Sequence, residues 1–142
     1  MESRNYDKGD QENNLYKIAE INRVMGDIQR LLGRKEEAIY YYHKCIDLCH
    51  NQILAIVDKE KNSIAYEESC RIKARVLLIS YYYRDMDNNE ENGLREALDI
   101  YNRINDKWGK AYYNQRMGEI YCASNISDFN NIKKYYQNAL KL

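Results

Sequence analysis

Proline is absent from this chain of 142 residues, and glycine occurs only six times. Sandwiches and barrels rely on many turns that need proline's fixed φ or glycine's left-handed freedom. Without them, connections must be short or built from Asn, Asp and Ser, which suits helices joined by tight turns. An excess of charge of one sign is also missing, with 22 basic against 22 acidic side chains. Nucleic acid and anionic membranes are usually met by a strong basic excess, so neither is expected as a partner. No apolar run approaches the ~20 residues of a membrane span. Residues 1–14 hold no hydrophobic segment of the signal-peptide kind. The expectation is a cytoplasmic protein, with residues 1–10 as a disordered lead-in and residues 11–142 as one helical domain.

Groups for catalysis are scarce as well. The two histidines, His43 and His50, stand seven apart on one face of a single helical stretch. There is no Gly-rich phosphate loop, no strand–turn–helix nucleophile motif and no metalloprotease helix motif. Glu36-Glu37 and Glu90-Glu91 fall at a helix start and in a loop; an acid at a helix N-terminus is favourable for structural reasons alone. Of the four cysteines, Cys45 and Cys49 lie four apart in an apolar helical pattern, while Cys70 and Cys122 are isolated. A zinc site around Cys45, Cys49 and His50 would need a matching second pair. The simpler reading is small apolar residues on a buried helix face. No catalytic residue, metal or cofactor is expected.

What the chain does have is a repeated spacing. One set runs Asn22, Met25, Gly26, Gln29, then Gly33, Ala38, Tyr42 and Cys45. A second runs Val76, Ile79, Ser80, Tyr83, then Ala97, Tyr101 and Ile104; a third runs Asn114, Met117, Gly118, Tyr121, then Ile132, Tyr136 and Ala139. Spacings of three and four put each set on one helical face. Gly26, Ser80 and Gly118 would let the first helix of a pair cross the second closely, with Ala38 and Ala97 opposite. Tyr42, Tyr101 and Tyr136 would fill the space between neighbouring pairs.

This spacing resembles the tetratricopeptide pattern, a large–x₂–Leu–Gly–x₂–Tyr helix followed by an Ala–x₃–Phe helix. The stretch from Ala97 through Tyr121 is similar to the longer, roughly forty-residue variety of that repeat. The resemblance covers about Ala19 to Leu142. Asn22, Val76 and Asn114 stand where the family has tryptophan, and the proline that often ends the second helix is missing. The fold implied is all-α, with antiparallel helix hairpins stacked as a right-handed superhelix.

Six helices are expected. The first spans Gln11 to Leu32, stopped by Gly33. The second runs long, from Lys35 to Lys59, about 37 Å at ~1.5 Å per residue, and Lys59–Ser63 breaks it. The third covers Ile64 to Asp85, before a polar Asp87–Gly93 loop. The fourth covers Leu94 to Ile104 and the fifth Lys107 to Ala123. Ser127 or Asp128 would cap a sixth that continues to the end.

The function the resemblance implies is binding of a protein or peptide in a concave groove lined by the first helix of each pair. By register this selects Glu20, Arg23, Asp27 and Arg30, then Leu77, Tyr81 and Arg84, then Tyr112, Gln115 and Glu119. One family subtype holds a carboxylate with a Lys and Asn pair; Arg23 could replace the lysine, but Asp27 at the asparagine position would repel that ligand. Alternatives are a peptide- or effector-responsive sensor module and a self-assembling structural protein. The last helix offers Ile132, Tyr135, Tyr136, Ala139 and Leu140 as an uncapped apolar face. Either the chain is part of a longer array, or that face meets another copy and makes a homo-oligomer. The 15 tyrosines reflect either a codon bias toward A and T or a use as rigid, half-polar contact residues.

Overall fold

A computed structural model describes residues 15–56, 63–83, 90–124 and 129–141. Residues 1–10, Arg84 and the capping candidates Ser127 and Asp128 lie outside the described residues. Six α-helices follow in order: α1 Leu15–Leu31, α2 Lys35–Ala55, α3 Ile64–Ile79, α4 Glu90–Arg103, α5 Lys107–Ser124 and α6 Phe129–Leu140. A 3₁₀ turn, Ser80–Tyr83, extends α3, and the described residues contain no strand.

Local chemistry sets the turns. Gly33 takes φ 75°, and its N–H reaches the Arg30 carbonyl while Arg34 N–H reaches that of Gln29. That crossed pair of bonds satisfies the last carbonyls of α1 and reverses the chain. Asn105 does the same after α4 at φ 51°, with Asp106 N–H bonded to the Tyr101 carbonyl. Asp106 then caps α5, its Oδ1 accepting from Gly109 N–H at 3.1 Å. Ser63 caps α3 through Oγ, accepting from Tyr66 N–H at 3.2 Å.

Consecutive helices run antiparallel. Leu15 N–H at the start of α1 donates to Gln52 near the end of α2, while Arg30 at the far end meets Tyr42. Tyr66 early in α3 lies beside Arg103 late in α4, and Lys73 pairs with Glu96 at 2.6 Å. Gly118 of α5 lies against Tyr136 of α6. Beyond these neighbours, α3 touches both α1 and α5. The core divides in two. One cluster, with Ala19, Ala38, Tyr42, Cys45, Cys49 and Val76, joins α1, α2 and α3. The other, with Cys70, Leu77, Leu78, Ala97, Tyr101, Met117 and Ile120, joins α3, α4 and α5.

Three helix limits differ from the sequence expectation. The second helix stops at Ala55 because Ile56 turns extended, φ −86° and ψ 125°, and packs on the second core cluster. Its 21 residues measure about 32 Å. The α-helical part of α3 ends at Ile79, where the chain tightens into the 3₁₀ turn. The fourth helix starts at Glu90, so residues 90–93 of the expected loop are helical; residues 87–89 lie outside the described residues. Acidic residues in a first helical turn favour this early start.

The small-residue contacts also sort differently. A Cβ on Gly26 would lie 2.5 Å from the Tyr42 ring, and one on Gly118 would lie 2.8 Å from Tyr136. Tyr42 and Tyr136 therefore pack within their own helix pairs. Tyr101 bridges between pairs, against Gly109 of the following helix, and Tyr42 also shares a core cluster with Ile72, Val76 and Ile79 of α3.

Candidate protein-binding groove

The first turns of α1 and the middle of α3 leave an open groove between them. Tyr16, Lys17, Glu20 and Ile21 line it from α1, and Glu68, Arg71, Ile72 and Arg75 line it from α3. Each foursome follows a spacing of three and four, which places it on one helical face. The groove has a volume of about 430 Å³. Buried Ile72 and half-buried Tyr16 give it an apolar floor.

Its charges are unevenly satisfied. Glu20 accepts from Arg23 Nε at 3.0 Å through both oxygens. Arg71 Nε donates to Asp106 Oδ2 at 2.9 Å, and its Nη1 donates to Glu68 Oε1. That bond ties the groove wall to the N-cap of α5. Lys17 and Arg75 are exposed and have no ion-pair partner among the described residues. Two unspent cations thus stand over an apolar floor.

The residues selected by register fare unequally. Glu20 lines the groove. Arg23, Asp27 and Arg30 are taken up by an internal network. Arg23 bonds Asp27 at 2.7 Å, Tyr42 OH donates to Asp27 Oδ1 at 2.5 Å, and Arg30 Nε donates to Tyr42 OH at 3.1 Å. Burial and the Asp27 bond push the Tyr42 phenol upward, so it stays neutral and braces α1 on α2. Leu77 is buried in the core, because α5 folds over the end of α3; Arg116 donates to the Leu78 carbonyl there at 3.1 Å. Leu77 is therefore not a groove residue. Tyr112 is half-buried and packs against both core clusters, and burial raises its phenol. Gln115 and Glu119 bond each other at 3.3 Å, and Glu119 also pairs with Arg116.

Tyr81 points elsewhere. It lines a second hollow of about 370 Å³ with Leu94, Arg95, Tyr113, Met117, Ile120 and Tyr121. The proposed apolar face of the last helix is largely turned inward. Ile132 is buried, Tyr135 stacks on Tyr121 with ring centres 5.4 Å apart, Tyr136 covers Gly118, and Ala139 is half-buried. Leu140 stands clear of the fold, and Tyr136 is partly exposed.

The chain matches no family model, no curated protein and no solved structure.

Lys17, Glu68, Arg71 and Arg75 escaped the sequence reading because α3 was aligned on its C-terminal half, whereas the groove uses its N-terminal half. The signal was the 68/71/72/75 spacing just after the Ser63 cap. The Cys49 thiol beside it and burial in the core together raise the Cys45 thiol strongly. A thiol held protonated is inert. Among the described residues no three His, Cys, Asp or Glu side chains gather as a metal site, and no helix is long and apolar enough to cross a membrane.

Proposed function

We propose that the chain is a protein-interaction module of tetratricopeptide type that takes a peptide segment along the α1–α3 groove. The observation that carries this reading is the groove's composition, an apolar floor under the unpaired cations Lys17 and Arg75. A short segment with acidic residues spaced around one large apolar side chain complements it. Burying the apolar side chain supplies affinity, about 25 cal/mol per Å². The cations steer and orient the acidic groups. Arg71, held by Asp106 and Glu68, serves as a rigid wall. The helix pairing and the close contacts at Gly26 and Gly118 support the repeat assignment.

The test is a selection of random twelve-residue peptides displayed on phage. Peptides enriched on the wild-type chain should be acidic with a central apolar residue. They should bind the Lys17→Glu/Arg75→Glu double variant at least about tenfold more weakly, the worth of ~1.4 kcal/mol. Peptides of no common character, or equal binding to both proteins, would remove the groove assignment.

A further inference from the structure

Among the described residues, half of the exposed large apolar side chains lie along the first helix and its end. Ile18, Ile21, Val24, Ile28, Leu31 and Leu32 are between 41% and 77% exposed. They line the side of α1 away from Ala19, Asn22 and Gly26, which face the core. With Met25 they form the ladder Ile18, Ile21, Met25, Ile28, Leu32, whose steps alternate three and four residues. That is the a/d seam of a coiled coil over two heptads, with Val24 and Leu31 widening one edge. Isolated exposed apolar residues need no explanation, but a continuous seam does.

We propose that this seam pairs antiparallel with the same seam of a second copy of the chain, about a two-fold axis at Met25. The spacing is nearly self-complementary: reversed about Met25, Ile18 falls opposite Leu32, and Ile21 falls one residue, about 1.5 Å, from Ile28. A seam that comes this close to its own reverse suits a closed, isologous contact. The area suffices. With a full residue area of about 190 Å², the six exposures amount to roughly 600 Å² per copy, so a pair buries about 1,200 Å², the lower edge of stable interfaces.

Other occupants fit less well. Residues 1–14 carry Met1 and Tyr6 as their only large apolar side chains, too few to form a matching ridge. Head-to-tail stacking on α6 would set the seam against exposed Asn130, Lys133, Lys134 and Gln137.

The test is sedimentation of the whole chain. A dimer, twice the 17.0 kDa chain mass, is expected at tens of micromolar. Ile28→Glu, outside the peptide groove, should weaken dimerisation more than about a hundredfold by placing a carboxylate in the seam, with helicity by circular dichroism unchanged. Orientation is read by oxidation in a Cys122→Ser background. Met25→Cys should form a disulfide-linked dimer and Ile18→Cys should not. A monomer at all concentrations, or a dimer indifferent to Ile28→Glu, overturns the proposal. Cross-linking through Ile18→Cys overturns the antiparallel pairing. Peptide selection on both the wild-type chain and Ile28→Glu keeps the two readings separable: a failed dimer leaves peptide enrichment on both, and a failed groove leaves the wild-type dimer intact.

Discussion

The Tyr101 ring occupies the space that a Cβ on Gly109 would need, and Tyr101 is only 2% exposed. Neither partner can retreat. Gly109→Ala should therefore destabilise the fold: overpacking costs about 1–3 kcal/mol, against at most ~1 kcal/mol gained from alanine's helix propensity. Gly118→Ala is the control on the same helix. Its neighbour Tyr136 is 38% exposed and can swing outward, so the two effects should nearly cancel. Urea denaturation of both variants measures the contrast. Equal losses would mean that ring mobility is irrelevant and that the two contacts differ only in name.

Helix ends carry more than their own helix. Asp106 caps α5 with one oxygen and holds Arg71 of α3 with the other, so a single carboxylate fixes the α4–α5 turn against the groove wall. Asp106→Ala loses the cap, worth about 0.5–2 kcal/mol, and a charged hydrogen bond of about 1.5–3 kcal/mol before solvent screening at half-exposed Arg71 lowers it. Asp106→Asn keeps the cap and should recover about half of the lost stability. Thermal unfolding of the two variants distinguishes these contributions. Equal loss in both would place the whole effect in the ion pair.

Across the whole molecule the shifted groups share one direction. Tyr42, Tyr101, Tyr112, Tyr113 and Tyr135 are all raised, in each case with burial as the largest cause. In the folded chain they hold protons that the unfolded chain releases above its ordinary tyrosine pKa of about 10. Their contribution to stability is thus fully present below that pH and declines as pH rises through and beyond it. Raised Cys70 acts in the same sense from about pH 8.5. Denaturant midpoints should hold level from neutrality to about pH 8 and fall progressively above pH 10, with the phenolate absorbance of these five tyrosines appearing only as the chain unfolds. Free titration of all 15 tyrosines before unfolding would contradict the packing described.

How much was legible in advance depends on the range of the interaction. Helix number, the Gly33 and Asn105-Asp106 turns, and the close packing at Gly26 and Gly118 follow from residues near in sequence. A left-handed turn or an Asp cap is satisfied within a few residues, so its chemistry can be read from the letters. The groove and the free surface could not be read this way. The first helix is apolar on two sides, Ala19–Gly26 and Ile18–Leu32, and periodicity does not say which side a neighbour covers. The last helix likewise showed an apolar face, but α5 supplies Gly118 and Tyr121 to cover it. Leu77 moved from groove to core because α5 closes over α3. The sequence by itself determined the six helices of the described residues, their order, and the turns at Gly33 and Asn105-Asp106. Only tertiary packing decided which faces remain exposed, because burial is a property of the neighbour as much as of the residue.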